Sequence, residues 1–433
     1  MRRHGTRRAA LLAAVTFLFV ATTTAVASRP ESAPGGFTTR VVLSHLGAGD
    51  GGIPTAFAYA PDGRIFIGRK TGIVDVYDRG TGTVWVRHVF LDLSGEVDSA
   101  QGRGLLGLAL DPHFAANGRV YVMFTQDLQP QRPDSRARAG GEIVSIRGLH
   151  RDPDSADLAS RVTLLSGYDS SAPQHADGAL RFDRGGHLLA SWGDGTADAV
   201  NTTALAAQHL GDLRGKIIRI DARTGAGVPG NPWYDPVHPR RVASKIYAYG
   251  FRNPYRFTVD LDNGTLYVGD VGWVGWEELD AFRVGYTLVT RDRNGGWPCY
   301  EGAERRSKPQ AAYSVAVVSR AVCHALYPPS LGGKGAGAHA PLYSYRHLTT
   351  ACIIAGPKYT QSSNYPAQYA GKVFIADWAR DLFRTVDPVT GFATDFGTAG
   401  SWGQPVDIQI APDGDVAYLA LATNTLRDIT YRG

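Results

Sequence analysis

The chain has 433 residues, 43% of them hydrophobic and 20% charged, with 52 glycines. It is too apolar for a disordered chain and too rich in glycine for a helical bundle. Its formal net charge of +5 is concentrated at Arg2, Arg3, Arg7 and Arg8, where no acid compensates, and the remainder lies within one charge of neutrality, which argues against a general nucleic-acid or membrane-surface binder.

The chain opens with the basic segment MRRHGTRR and the apolar run AALLAAVTFLFVATTTAVA, ending in the small-x-small triplet Ala25-Val26-Ala27. Residues 1–27 therefore read as a secretory signal peptide, with a retained anchor as the alternative; the apolar core Ala9–Val20 is short for a membrane span. Residues 28–40, SRPESAPGGFTTR, read as a polar lead-in to one domain over 41–433, and nothing after residue 28 is apolar for long enough to cross a membrane as a helix. Export implies an oxidising compartment. Of Cys299, Cys323 and Cys352, two are expected to form a disulfide, and the spacing leaves the pairing open.

A turn-plus-strand phrase then recurs: PDGRIFIG at 61–68, AANGRVYVMF at 115–124, DRGGHLLAS at 183–191, LDNGTLYVGD at 261–270, QYAGKVFIAD at 368–377 and APDGDVAYLA at 411–420. In each, a glycine able to take positive φ precedes a run of aliphatic, β-branched or aromatic residues, the signature of a tight turn into a buried strand. Thr203–Leu213 is a short helix candidate, no long 3.6-residue period appears, and Ser330–Ala340 reads as a surface loop. Six copies predict an all-β fold, a single-domain six-bladed β-propeller; unrelated hairpins sharing ordinary turn chemistry are the alternative.

Propeller ligands favour the axial channel, so chemistry is sought beside these phrases. His175 precedes one strand of the third copy and Asp194 follows the next. A hairpin through the Asp183–Gly186 turn would bring the two together, and the carboxylate would then set the imidazole tautomer. Arg252-Asn253 offers a fixed cation beside an amide. The glycine-rich stretch from Gly269 to Leu279 offers main-chain carbonyls with Asp270, Glu277 and Glu278, which are hard oxygen ligands of the kind calcium takes. Each cluster also has a plain reading as turn residues and solvated acids.

Seven motifs in order carry a resemblance: Gly104-Leu105-Leu106-Gly107 through Asp111-Pro112-His113-Phe114, His175-x-x-Gly178, Gly193-Asp194, Gly215-Lys216, Gly250-x-Arg252-Asn253-Pro254, Asp270-Val271-Gly272 with Trp276-Glu277-Glu278, and Gly296-Trp297-Pro298. With these the chain resembles the soluble quinoprotein glucose/aldose sugar dehydrogenases (the glucose/sorbosone dehydrogenases), propellers that use pyrroloquinoline quinone (PQQ) and calcium. The resemblance implies that His175 is the general base toward the sugar C1 hydroxyl and that Asp194 supports it. It implies that Arg252 and Asn253 contact the quinone, that the carbonyls of Gly272 and Trp273 hold a calcium at the cofactor, and that Glu277 and Glu278 lie near a second calcium. The implied reaction is oxidation of an aldose at C1 to the lactone, with electrons passed to an acceptor that leaves no local signature.

The chain departs from that pattern in four places. The glutamine before the Gly-Leu-Leu-Gly motif is shifted, with Gln101-Gly102-Arg103 standing there; Gly295 replaces a tyrosine; and a lysine that anchors the cofactor's carboxylates falls near Ala379, leaving Arg380 as a substitute. Two late arginines have no counterpart around Gln404-Pro405-Val406-Asp407. PQQ is a tricarboxylate, so lost cations weaken its binding unless others replace them. The alternative function is a non-catalytic secreted propeller that binds carbohydrate or protein and has lost the cofactor.

Overall fold

In the computed structural model, which describes residues 33–433 except 48–51, 81, 133–137, 197–201, 284–292, 303–319, 328, 330–334, 336, 349 and 361–363, the six phrases all form the same piece of structure. Their glycines sit in the turn between the first and second strand of successive sheets, with φ of +93° at Gly63, +57° at Gly118, +74° at Gly186 and Gly264, +78° at Gly371 and +91° at Gly414. A side chain would be strained in that backbone region, which is why glycine recurs there. The expected signal peptide and more than half of the Ser330–Ala340 loop lie outside the described residues.

After β1 (Phe37–Leu43), the first blade is β2 (Pro54–Tyr59), β3 (Ile65–Arg69), β4 (Ile73–Asp78) and β5 (Val86–Asp92). The second is β6 (Leu105–Leu110), β7 (Arg119–Asp127), β8 (Ala139–Gly148) and β9 (Ala156–Asp169). The third is β10 (Asp177–Phe182), β11 (Leu188–Trp192), β12 (Lys216–Ile220) and β13 (Ile246–Tyr249). The fourth is β14 (Arg256–Val259), β15 (Thr265–Asp270), β16 (Trp276–Arg283) and β17 (Tyr343–Arg346). The fifth is β18 (Ile353–Lys358), β19 (Val373–Asp377), β20 (Leu382–Val386) and β21 (Ala393–Asp395). The sixth takes β22 (Pro405–Ile410), β23 (Val416–Ala420) and β24 (Thr425–Tyr431) from the end of the chain and β1 from its beginning.

That last pairing closes the ring: β1 runs antiparallel to β24, with Phe37 opposite Tyr431 and Leu43 opposite Leu426. It also corrects the lead-in assigned to 28–40, because the domain starts no later than Phe37. The Phe37 ring is buried, with centroids 4.9 Å from Tyr365 and 5.0 Å from Phe396. Polar neighbours hid a strand with one apolar anchor.

The core is a set of interfaces between blades. Phe66 and Val76 meet Val120 and Val122; Met123 and Ile143 meet Leu188 and Ile218; Leu189 and Ile217 meet Phe257 and Val268. Leu279 meets Ile353 and Ile375, Phe374 and Phe383 meet Ile408 and Tyr418, and Leu419 and Leu426 meet Phe57 and Ile67. Both faces of a blade are thus covered, so strands such as Ile65-Phe66-Ile67 read as continuous apolar runs.

The first strand of each blade faces the axis, and polar ties cross the channel. Buried Arg256 of β14 donates from Nε to Val406 O at 2.9 Å and from Nη2 to Thr55 O at 2.7 Å, joining the fourth, sixth and first blades. Arg181 Nη2 reaches Asp407 Oδ1 at 2.6 Å from the third blade to the sixth. Buried charges persist only when paired in this way. The hollow that remains opens at the end opposite the six glycine turns.

The short helix expected over Thr203–Leu213 is a 3₁₀ turn at Thr202–Gln208. Cys299 and Cys323 form the disulfide, with Cα atoms 5.2 Å apart, and Cys352 is a free thiol.

Candidate active site

A cavity of about 220 Å³ lies on the axis, lined from every blade: Thr55 and Lys70, then Leu106, His175–Asp177, Arg252–Tyr255 with Val271–Trp273, Cys352 with Trp378, and Val406 with Leu421. Each lining stretch stands at the entry of an inner strand or the exit of the next one. The sequence brings its candidates here by repeating one blade plan.

His175 meets Asp194 because the hairpin register runs on. Asp177 stands opposite Trp192 in β10 and β11, so continuing the ladder by two residues places 175 opposite 194. The His175 Nδ1 to Asp194 Oδ1 distance is 2.9 Å, with both side chains buried. Gly193 permits this approach: a Cβ there would lie 2.5 Å from His175 Cβ. His175 itself has φ +53°, a left-handed conformation that costs a non-glycine residue roughly 1–3 kcal/mol and concentrates at functional sites.

Asp194 is supported from three more directions. Trp297 Nε1 donates to Oδ2 at 2.7 Å, the Thr196 hydroxyl to Oδ1 at 2.8 Å, and the Thr196 amide to Oδ1 at 3.0 Å. Burial alone would raise its pKa, but the His175 hydrogen bond, the charges of His175 and Arg252 and the Thr196 amide hold it below the ordinary carboxylate value. An ionised Asp194 accepts from Nδ1–H, which makes Nε2 the unprotonated ring nitrogen. Sequence reasoning missed Trp297 as a partner here, although its Gly-Trp-Pro motif was visible.

Arg252 and Asn253 line the same cavity, their amides donating to Asp270 Oδ2 at 3.0 Å and Oδ1 at 2.7 Å. Arg252 Nη1 donates to Val271 O at 3.0 Å and Gly272 O at 2.5 Å, whereas its Nε is buried with no hydrogen-bond partner among the described residues. The Gly272 carbonyl is therefore already spent on a guanidinium. Gly272 and Trp273 line the cavity beside that guanidinium.

A stronger cation site lies behind them. Asp270, Glu278 and Asp280 are all buried and place one oxygen each within 4.8 Å of one another. Glu278 pairs across from Asp270 in the ladder, and Asp280, two residues on, shares its face. Among the described residues neither Asp280 oxygen has a hydrogen-bond partner, and burial together with the Asp270 charge pushes its pKa well above the usual range. Among the described residues this is the one such cluster.

Strand alternation sends Glu277 to the opposite face, away from that cluster. It accepts from His347 Nδ1 at 2.6 Å, Ile353 N at 2.9 Å and Gly272 N at 3.1 Å. Burial raises its pKa, partly offset by His347. His347 lines the cavity, so a second imidazole held by a buried carboxylate faces it.

The departures resolve unevenly. Gln101, at φ +50°, lines the cavity despite its shift, since Gly102 packs where a Cβ would meet Gln174 Cα at 3.1 Å. Gly295 leaves no room for a tyrosine: a Cβ there would lie 2.7 Å from Gly250 O. Arg380 does not line the cavity; its guanidinium serves the carbonyls of Arg346, His347 and Thr350. Asp407 is taken by Arg181, and the neighbouring wall of Ala351, Trp378, Val406 and Leu421 is apolar. Lys216 was passed over as part of a motif, yet its Nζ donates to Ala206 O, Ala207 O and Arg214 O at 2.8–2.9 Å and so fixes the turn packed on Trp297.

The curated aldose sugar dehydrogenase YliI of Escherichia coli strain K12 is 24% identical over 382 residues, 86% of this chain and 87% of its own. HIPL1 protein of Arabidopsis thaliana is 27% identical over 294 residues, 56% of this chain; the match spans 41% of that relative. The solved PQQ-bound aldose sugar dehydrogenase of Streptomyces coelicolor superposes with a TM-score of 0.63 at 19% identity, covering 92% of this chain and 99% of that one, which shows the fold. The family model for glucose/sorbosone dehydrogenase matches residues 52–381. Motif order, blade plan and this match agree, and the chain belongs to the glucose/sorbosone dehydrogenase family.

Proposed function

We propose that this protein is a secreted quinoprotein oxidoreductase that oxidises an aldose at C1 to the lactone with PQQ as the electron acceptor and calcium as the metal. The observation that carries the reading is the gathering of the His175–Asp194 pair, Arg252 and Asn253 around one axial cavity. Two buried groups without a hydrogen-bond partner among the described residues support the cofactors: Arg252 Nε beside the cavity, and both oxygens of Asp280 in the acid cluster. They fit an anionic quinone and a hard cation respectively.

PQQ supplies the two-electron acceptor for the hydride that leaves C1. His175 Nε2 accepts the proton of the C1 hydroxyl, because Asp194 holds Nδ1 as the donor and is oriented to stabilise the imidazolium that forms. Trp297 and Thr196 keep Asp194 from rotating away. Arg252 would help to hold the bound quinone and would supply a cation that stabilises negative charge in the cavity. Asp270, Glu278 and Asp280 would hold calcium, which neutralises three clustered acids and stiffens Asp270, the anchor of the Arg252 and Asn253 amides. A cavity shaped by six blade ends admits a small sugar.

The test is reconstitution with PQQ and calcium followed by dye reduction across a panel of aldoses. Turnover with at least one aldose is expected; no turnover with any sugar and no change in PQQ absorbance on mixing would refute the reading. The apolar wall at Ala351, Trp378, Val406 and Leu421 favours a second reading, a sugar-binding propeller without cofactor. In that case, sugar binds with no PQQ present and His175→Ala leaves its affinity nearly unchanged.

A further inference from the structure

We infer that Lys70 is the second carboxylate anchor of the cofactor cavity, an assignment that rests on the PQQ reading above. The cavity has one arginine and one lysine among its lining residues, Arg252 and Lys70. Arg252 lies where the third blade hands over to the fourth, and Lys70 follows β3 in the first blade. In a ring of six, the first and fourth blades face each other across the axis. A rigid polyanion in the hollow would therefore have cations from two different parts of the ring in its lining.

The other nearby cations do not line the cavity. Arg380 serves three carbonyls outside the cavity and Arg181 is paired with Asp407, while Ala351, Trp378, Val406 and Leu421 bring no charge. Lys70 is also built in place. Its amide donates to Ile53 O at 2.8 Å, its carbonyl accepts from Leu105 N at 3.1 Å, and its Nζ reaches Ser99 O. Gly104 closes over it: a Cβ at that position would lie 2.7 Å from Lys70 Cγ. The stem is thereby packed in a residue that lines the cavity, and its ammonium carries three donors. A lysine held in this way binds a carboxylate as a point charge rather than through a bidentate fork, which suits the edge of a planar triacid.

The experiment titrates PQQ into the calcium-loaded full chain, followed by absorbance and tryptophan quenching, for the unaltered protein, Lys70→Met and Lys70→Arg. A charge-assisted bond is worth roughly 10- to 100-fold in affinity, so Lys70→Met is expected to weaken PQQ by about that factor and to flatten the salt dependence of binding. Lys70→Arg is expected to restore affinity to within about fivefold. Lys70→Gln gives the same reading if methionine perturbs the fold, which melting temperature reports. Unaltered PQQ affinity and salt dependence in Lys70→Met overturn the assignment. A raised KM for sugar with unchanged PQQ affinity also overturns it, because the lysine would then face the substrate. Failure of the unaltered protein to bind PQQ takes down the function proposed above, and this assignment with it.

Discussion

Two imidazoles face the axial cavity, each hydrogen-bonded through Nδ1 to a buried carboxylate, yet their surroundings give them different characters. Asp194 collects donors from His175, Trp297 and Thr196 and the nearby charge of Arg252, so it stays anionic. Glu277 is pushed the other way by burial, and its remaining donors are main-chain amides of Gly272 and Ile353 that tie the fourth blade to the fifth. In the reading proposed above, the first pair moves a proton and the second holds a wall. Identical side-chain chemistry is thus divided by what lies behind it.

The comparison breaks most directly at the histidines. His175→Ala is expected to lower kcat by roughly 10³-fold, within the range for loss of a general base, with PQQ affinity little changed. His347→Ala is expected to lower it by about tenfold at most. Dye-reduction kinetics of both variants decide the matter, and equal losses would erase the distinction.

The carboxylates sharpen it. Asp194→Asn presents an amide that favours the wrong tautomer, so a loss in turnover of roughly 10²-fold or more is expected. Glu277→Gln leaves the two main-chain donors imperfectly satisfied and should cost about 1–3 kcal/mol of folding stability, read by denaturant unfolding. A large activity loss with intact stability for Glu277→Gln would make the second pair catalytic.

Smaller effects come from the acid cluster beside the Glu277 face. Calcium at 100 times its Kd is expected to stabilise the fold by about 2.7 kcal/mol, seen as a higher melting temperature that chelator reverses. Asp280→Asn should remove that response while raising the melting temperature of the chelated protein, because one member of a mutually repelling set is gone. No calcium response in the unaltered protein would empty the site.

The smallest expected effect concerns Asp177, two residues from His175. Burial raises its pKa from 3.8 to about 7. A carboxyl with a raised folded pKa contributes stability below the ordinary carboxylate pKa and loses it as pH climbs through about 7. Melting temperature should therefore fall between pH 4 and 7.5 more steeply in the unaltered protein than in Asp177→Asn. Parallel curves would show that Asp177 titrates normally.

Legibility followed sequence distance. The six glycine turns and the His175–Asp194 pair were readable because turn chemistry and ladder register act within about twenty residues. Glu278 and Asp280 on one face with Glu277 on the other was also there to be read, since strand side chains alternate, but grouping Glu277 with Glu278 overlooked that period. The Trp297–Asp194 bond, 103 residues apart, and the Glu277–His347 bond, 70 apart, had no local signal. Arg380 was near the right place in sequence, but the carbonyls its planar guanidinium found turned it away from the cavity.

What the sequence determined by itself was the repeating unit: glycine where the backbone must turn left, an apolar run where a strand is covered on both faces, and a histidine and an aspartate at matching ends of one hairpin. Tertiary structure alone decided that β1 completes the sixth blade, that Cys299 pairs with Cys323, and that Lys70 and Arg252 line one cavity. Local rules act along the chain, whereas a ring brings distant residues together only when all its blades have closed.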